Sequence, residues 1–225
     1  MIQGIKINAY NIAYMDIPKV ACTSIKQALY ELETGKKFDR REIGISVHKY
    51  FSEKQENILY TKYRFLIVRD PVKRFLSGYS NRVTYHKELS REYLEKIKNP
   101  NASRLIQKDI PLDPGLGQFF DYFDDYMTIP NINHHLKPCI HFLNTSLSTF
   151  NYIYKLEEIS KFEQHISSII NKEFKLPRTQ TGGRKFSVKD LSSKQLDFLI
   201  DFYKKDYELL KEFYTIDDIW KEWKR

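Results

Sequence analysis

The first clear apolar block, Ile12-Ala13-Tyr14-Met15-Asp16-Ile17, is short and closed by Pro18, so it reads as a buried strand running into a tight loop. Helical spacing follows at once. Ile25, Ala28, Leu29 and Leu32 share one face, and Ser24 with Gln27 has the form of a capping box. The order repeats downstream: Arg64-Phe65-Leu66-Ile67-Val68 reads as a buried strand, and Pro71 lies near the first turn of a helix carrying Phe75, Leu76 and Tyr79. A third strand is expected between them, around Gly44 to Val47.

Further along, residues 90–99 read as a charged helix, residues 101–117 as a turn-rich, mobile insertion, and residues 119–127 as helix again. Tyr152-Ile153-Tyr154 reads as a short strand, and Ile159, Phe162, Ile166, Ile169 and Ile170 form the apolar face of the helix after it. Residues 175–187 form a polar, basic loop. Ser192 with Gln195 is expected to cap a helix that turns Leu196, Leu199, Phe202 and Tyr203 inward, and the aromatic stripe Phe198, Phe202, Tyr203, Tyr207 and Phe213 is expected to be core. Strands alternating with helices predict an α/β fold: a single domain over residues 1–225, with a central parallel sheet flanked by helices and ligands bound beyond the carboxyl ends of its strands.

Composition narrows this picture. Apolar residues at 41% and aromatics at 15% exclude a disordered chain. The formal charge of +8 suits an anionic partner, without choosing among a nucleotide, an acidic polysaccharide, a nucleic acid and a membrane surface. Basic residues are dispersed among acids, as in Lys204-Lys205-Asp206, which suits a solvated surface better than a nucleic-acid track. Cys22 and Cys139 cannot make a framework of bridges, and no segment reads as a signal peptide or a membrane span. A cytoplasmic location without stable membrane insertion is therefore expected; a Golgi enzyme would normally carry an anchor before this sequence.

Chemistry concentrates in the two strand-to-helix loops. Pro18-Lys19-Val20-Ala21-Cys22-Thr23-Ser24 ends at a helix N-terminus, where unpaired N–H groups and the helix dipole favour a phosphate. The layout is P-loop-like, but the Gly-Lys-Ser/Thr ending of a Mg-nucleotide cradle is missing. Arg69 at the end of the second strand offers a planar fork of donors to a phosphate, and Ser77 on the next helix adds a hydroxyl. Asp70 reads as the cap of the helix starting at Pro71 rather than as a magnesium ligand. His134, His135, Cys139 and His141 miss the paired spacings of a zinc site.

These two segments resemble the donor-binding motifs of the PAPS-dependent sulfotransferases, and Pro-Lys-Val-Ala-Cys-Thr-Ser is especially similar to the version in carbohydrate sulfotransferases. The resemblance implies transfer of a sulfuryl group from PAPS to a hydroxyl, with PAP as product, no metal required, and a small-molecule or saccharide acceptor rather than a nucleic acid. It implies that Lys19 stabilises the leaving phosphate and that residues 19–24 hold the 5′-phosphosulfate. It implies that Arg69 and Ser77 hold the 3′-phosphate. Thr181-Gly182-Gly183-Arg184-Lys185 resembles the basic stretch that closes over the nucleotide, which makes Arg184 and Lys185 further 3′-phosphate contacts. The acceptor hydroxyl needs a base, and histidine suits that task near neutral pH. Of six histidines, His48 is placed like the base of uronyl-type carbohydrate sulfotransferases, with His135, in a family-like Asn-x-His segment, second. Two rivals stay open: a small-molecule or nucleotide kinase, which needs ATP and Mg²⁺, and a non-catalytic nucleic-acid binder.

Overall fold

Every residue of strand β2 (Ile12–Met15) is buried, as are the last four of strand β4 (Tyr63–Val68), which is what strands covered on both faces require. A computed structural model describes residues 2–143, 145–179 and 182–225. The chain forms two compact units: Met1–Arg69 with Ile140–Thr181, and Asp70–Cys139 with Gly182–Arg225.

The first unit holds the sheet. Strands β1 (Gln3–Ile7), β3 (Gln55–Asn57) and β5 (Tyr152–Lys155) join the two buried strands in the order β3-β1-β2-β4-β5. The expected α/β fold is present, with a mixed sheet in place of an all-parallel one. β2, β4 and β5 run parallel, while β1 pairs antiparallel with both β2 and β3. Between β2 and β4 lie helix α1 (Cys22–Thr34), which buries Ile25, Ala28 and Leu29, and helix α2 (Val47–Ser52). The helix Ile159–Ile170 packs on the sheet through Phe162, whose ring meets Phe65 edge-on at 5.4 Å between centroids.

No strand forms at Gly44–Val47. Gly44, at φ 77°, closes the short helix Arg40–Ile43, and Ser46 caps α2 by accepting from the Lys49 N–H. Two capping residues in succession outweigh a brief apolar run. The strand in this region is the polar edge β3 instead.

The second unit is helical around an aromatic core that includes Phe75, Tyr79, Phe119 and Tyr126. Helix α3 (Pro71–Tyr79) opens with Asp70 accepting from the Lys73 N–H at 2.9 Å, the cap expected from the sequence, and runs on into a π-helical turn at Ser80–Tyr85. The expected turn-rich insertion is in part helical. Asn99 caps a helix over Pro100–Gln107 that buries Ala102 and Leu105, and the Tyr79 hydroxyl donates to the Pro114 carbonyl at 2.8 Å. The Ser192/Gln195 capping box is present. Leu196, Leu199, Tyr203 and Tyr207 are buried as expected, whereas Phe198 is 42% exposed.

Candidate active site

The site begins with strand register. In the first unit Met15 of β2 lies opposite Leu66 of the parallel β4, so both strands deliver their carboxyl ends to the same edge. The loop leaving β2 therefore emerges beside Arg69, whose Nη1 donates to the Lys19 carbonyl at 3.1 Å. Lys19 (φ 71°) and Ala21 (φ 63°) both adopt the left-handed conformation, which turns the peptide units sharply ahead of α1. The Val20 side chain is buried in the core, so Val20 can serve a ligand only through its backbone. α1 starts at Cys22 with no side-chain cap, which leaves its first N–H groups and its dipole for an anion.

One expectation changes here. Ser24 is not the cap of α1 but lies inside its first turn, with Oγ 2.9 Å from the Thr179 Oγ1. Burial, helped by the Asp16 charge, pushes the Cys22 thiol up from its ordinary value, so the side chain stays protonated at neutral pH. What Cys22 can offer a ligand is its N–H.

A line of side chains crosses the base of the loop. Lys26, one turn after Thr23 and 4% exposed, pairs with Asp16 and lies 3.0 Å from the Nδ1 of His48. The Nε2 of His48 lies 2.9 Å from the Thr23 Oγ1. His48 thus reaches the donor loop, but from the first turn of α2 rather than from the end of a strand. Sequence reasoning missed Lys26 and Asp16. The available signal was a charged residue inside each of two apolar patterns, Asp16 within Ile12–Ile17 and Lys26 beside Ile25 and Leu29.

The second unit carries the other expected residues. Ser77 is half-buried on α3. The next residue, Gly78, lets the helix Pro130–Leu136 approach closely: a Cβ there would come within 2.4 Å of the Leu136 side chain. Gly182 and Gly183 lie against Tyr85 and Ser80, and the Ser80 hydroxyl donates to the Arg184 carbonyl. Arg184 pairs with Asp190 at 3.1 Å and lies over the Phe186 ring, so a phosphate would compete with both; Lys185 is exposed. Thr181 of this loop is outside the described residues. His135, near the end of Pro130–Leu136, is half-buried, and its carbonyl accepts from Arg74.

The sequence model described as the Sulfotransferase family matches residues 6–214, nearly the whole chain and both of its units. The chain belongs to the sulfotransferase family. It is similar to carbohydrate sulfotransferase 14 of Mus musculus, at 24% identity over 157 residues, which cover 67% of this chain and 42% of that relative. The matched region is thus well under half of the relative's length. No solved structure matches.

Membership makes this sulfotransferase-family chain a transferase, and it corrects one expectation. The cytoplasmic location does not stand, because the kinship found is with a carbohydrate sulfotransferase and no observation on this chain supports the cytoplasm. Among the described residues no helix is long and apolar enough to cross a membrane, which is a statement about helices and not about compartment.

Proposed function

We propose that this chain transfers a sulfuryl group from PAPS to a hydroxyl of a saccharide, with residues 1–225 acting as one catalytic domain. The observation that carries the reading is the bond from Arg69 to the Lys19 carbonyl, because it joins the two donor-type motifs at one sheet edge beside an uncapped helix N-terminus. In this reading the backbone N–H groups of residues 20–24 and the hydroxyls of Thr23 and Ser24 hold the 5′-phosphosulfate. The Lys19 ammonium stabilises charge on the bridging oxygen, and the Arg69 guanidinium binds the 3′-phosphate. For Ser77, Arg184 and Lys185 the case for donor contact rests on motif resemblance alone.

The reaction is an in-line displacement at sulfur. The acceptor oxygen forms the new O–S bond, the bond from sulfur to the 5′-phosphate oxygen breaks, PAP leaves, and the acceptor proton passes to a base. His48 and His135 are the two candidates for that base, and the pH–rate profiles of His48→Asn and His135→Asn separate them. Loss of the acidic limb marks the base.

Calorimetric titration with PAP in the presence of chelator tests the reading as a whole. Binding by the wild type that is lost in Arg69→Ala supports it. No PAP binding by folded protein, with ATP·Mg²⁺ bound instead, overturns it in favour of a kinase.

A further inference from the structure

Asp16, Lys26, His48 and Thr23 form one hydrogen-bonded line in the first unit, and it ends in the first turn of α1. We infer that Lys26 and Asp16 are positioning residues of the donor loop. They fix the proton of His48 on Nε2, and His48 in turn makes Thr23 a hydrogen-bond donor to the anion at the start of α1. This deepens the sulfotransferase reading and rests on it for the identity of that anion.

Proton counting gives each bond its direction. An ammonium has three N–H groups and no lone pair, so the His48 Nδ1, 3.0 Å from the Lys26 Nζ, is the acceptor. A neutral imidazole that accepts at Nδ1 carries its proton on Nε2, which faces the Thr23 Oγ1 at 2.9 Å. Thr23 accepts that proton, and its own single O–H is left to donate elsewhere. The oxygens of a phosphosulfate only accept, so a hydroxyl held as a donor is matched to them before the ligand arrives.

Without Lys26 the ring is free to take the opposite tautomer and accept from Thr23, which turns the Thr23 proton away from the ligand. Asp16 makes a charged lysine tolerable at a position only 4% exposed, since an unpaired buried ammonium is costly. Both nitrogens of His48 are engaged in this line, so within it His48 acts as a positioning residue, and of the two candidate bases the line favours His135.

¹⁵N-histidine NMR on the full chain tests the line, with His48 assigned by its absence in His48→Asn. The wild type is expected to show His48 as the Nε2–H tautomer, and Lys26→Met to show the Nδ1–H form or a mixture. An Nδ1–H wild type overturns the inference. Calorimetry with PAPS is the second arm: Thr23→Val and Lys26→Met are each expected to weaken binding about 10-fold, and the double variant no more than either alone. Effects that multiply, or a Lys26→Met that binds PAPS like wild type, overturn it too. Should Lys26→Met lose its fold, the double variant Asp16→Asn/Lys26→Met, which removes both charges, takes its place. A wild type that binds no PAPS but keeps the Nε2–H tautomer sinks the donor assignment while leaving the bond line in place, which separates the two failures.

Discussion

The Arg69 guanidinium holds the Lys19 backbone carbonyl at 3.1 Å, so a residue at the end of β4 fixes the shape of the loop that follows β2. If Arg69 also binds the donor, its removal costs twice, once in the lost phosphate contact and once in a loosened loop. Arg69→Ala is expected to weaken PAP binding by about 100-fold or more, given roughly 1.5–3 kcal/mol for a hydrogen bond to a charged group. Arg69→Lys is expected to recover little, because one ammonium cannot serve two separate acceptors with the geometry of a planar fork. Calorimetry on both variants checks this, and a Lys variant that binds like wild type refutes it.

Lys19 and Ala21 pose a stability question independent of any ligand. Both sit at positive φ, 71° and 63°, where a residue with a Cβ is strained by about 1–2 kcal/mol. Ala21→Gly removes only a methyl group and is expected to raise stability, as is Lys19→Gly, but Lys19→Gly should abolish transfer because the ammonium is gone. Thermal melts read beside transfer rates check the pair. A stabilised, inactive Lys19→Gly next to a stabilised, active Ala21→Gly would mean that strain at Lys19 is tolerated for the sake of its ammonium, while strain at Ala21 serves no step of the transfer.

Legibility followed the strength of local signals. β2, β4, β5 and the two donor-type loops were readable because apolar runs ended in Pro18, or in Arg69 and Asp70 before Pro71. β1 and β3 were not. β3 is Gln-Glu-Asn, a polar edge strand paired with β1, and no local pattern announces such an edge. The helix Pro100–Gln107 was missed because Asn99 read as the end of the preceding helix, whereas it caps this one and Pro100 is its first position. In the site, the loop and Arg69 were legible from motif order. Lys26 and Asp16 were not, because their role depends on His48 arriving from a different helix.

Gly78 allows a sharp test of packing in the second unit. A Cβ there would lie 2.4 Å from the Leu136 side chain and 3.2 Å from the His135 carbonyl oxygen, and a backbone atom cannot step aside as a side chain can. Gly78→Ala is expected to destabilise the protein by about 1–3 kcal/mol through overpacking, despite alanine's better helix propensity. Chemical denaturation checks it. If Gly78→Ala costs as much in a Leu136→Ala background as in the wild type, the backbone contact sets the cost; a smaller cost there assigns it to the Leu136 side chain.

Asp70 gives the fold a pH dependence whose direction follows from its surroundings. Burial pushes its carboxyl from 3.8 to about 6, against the opposing pull of hydrogen bonds from the Lys73 N–H and the Tyr207 hydroxyl. With the folded value above the unfolded one, the native state binds this proton more tightly. The group's contribution is therefore fully present below about pH 4 and is lost as pH rises through 6. A rise from 3.8 to about 6 corresponds to roughly 3 kcal/mol. Asp70→Asn keeps the oxygen that caps the Lys73 N–H, sets an amide N–H toward the Tyr207 hydroxyl, which then accepts instead of donating, and carries no titrating group. Its unfolding free energy is expected to rise relative to that of the wild type, meaning greater relative stability, by up to that amount between pH 3.5 and pH 7. Urea denaturation across that range reads it directly. A difference that stays flat would mean that hydrogen bonding to the charged carboxylate cancels burial, and a slope of the opposite sign that it outweighs burial.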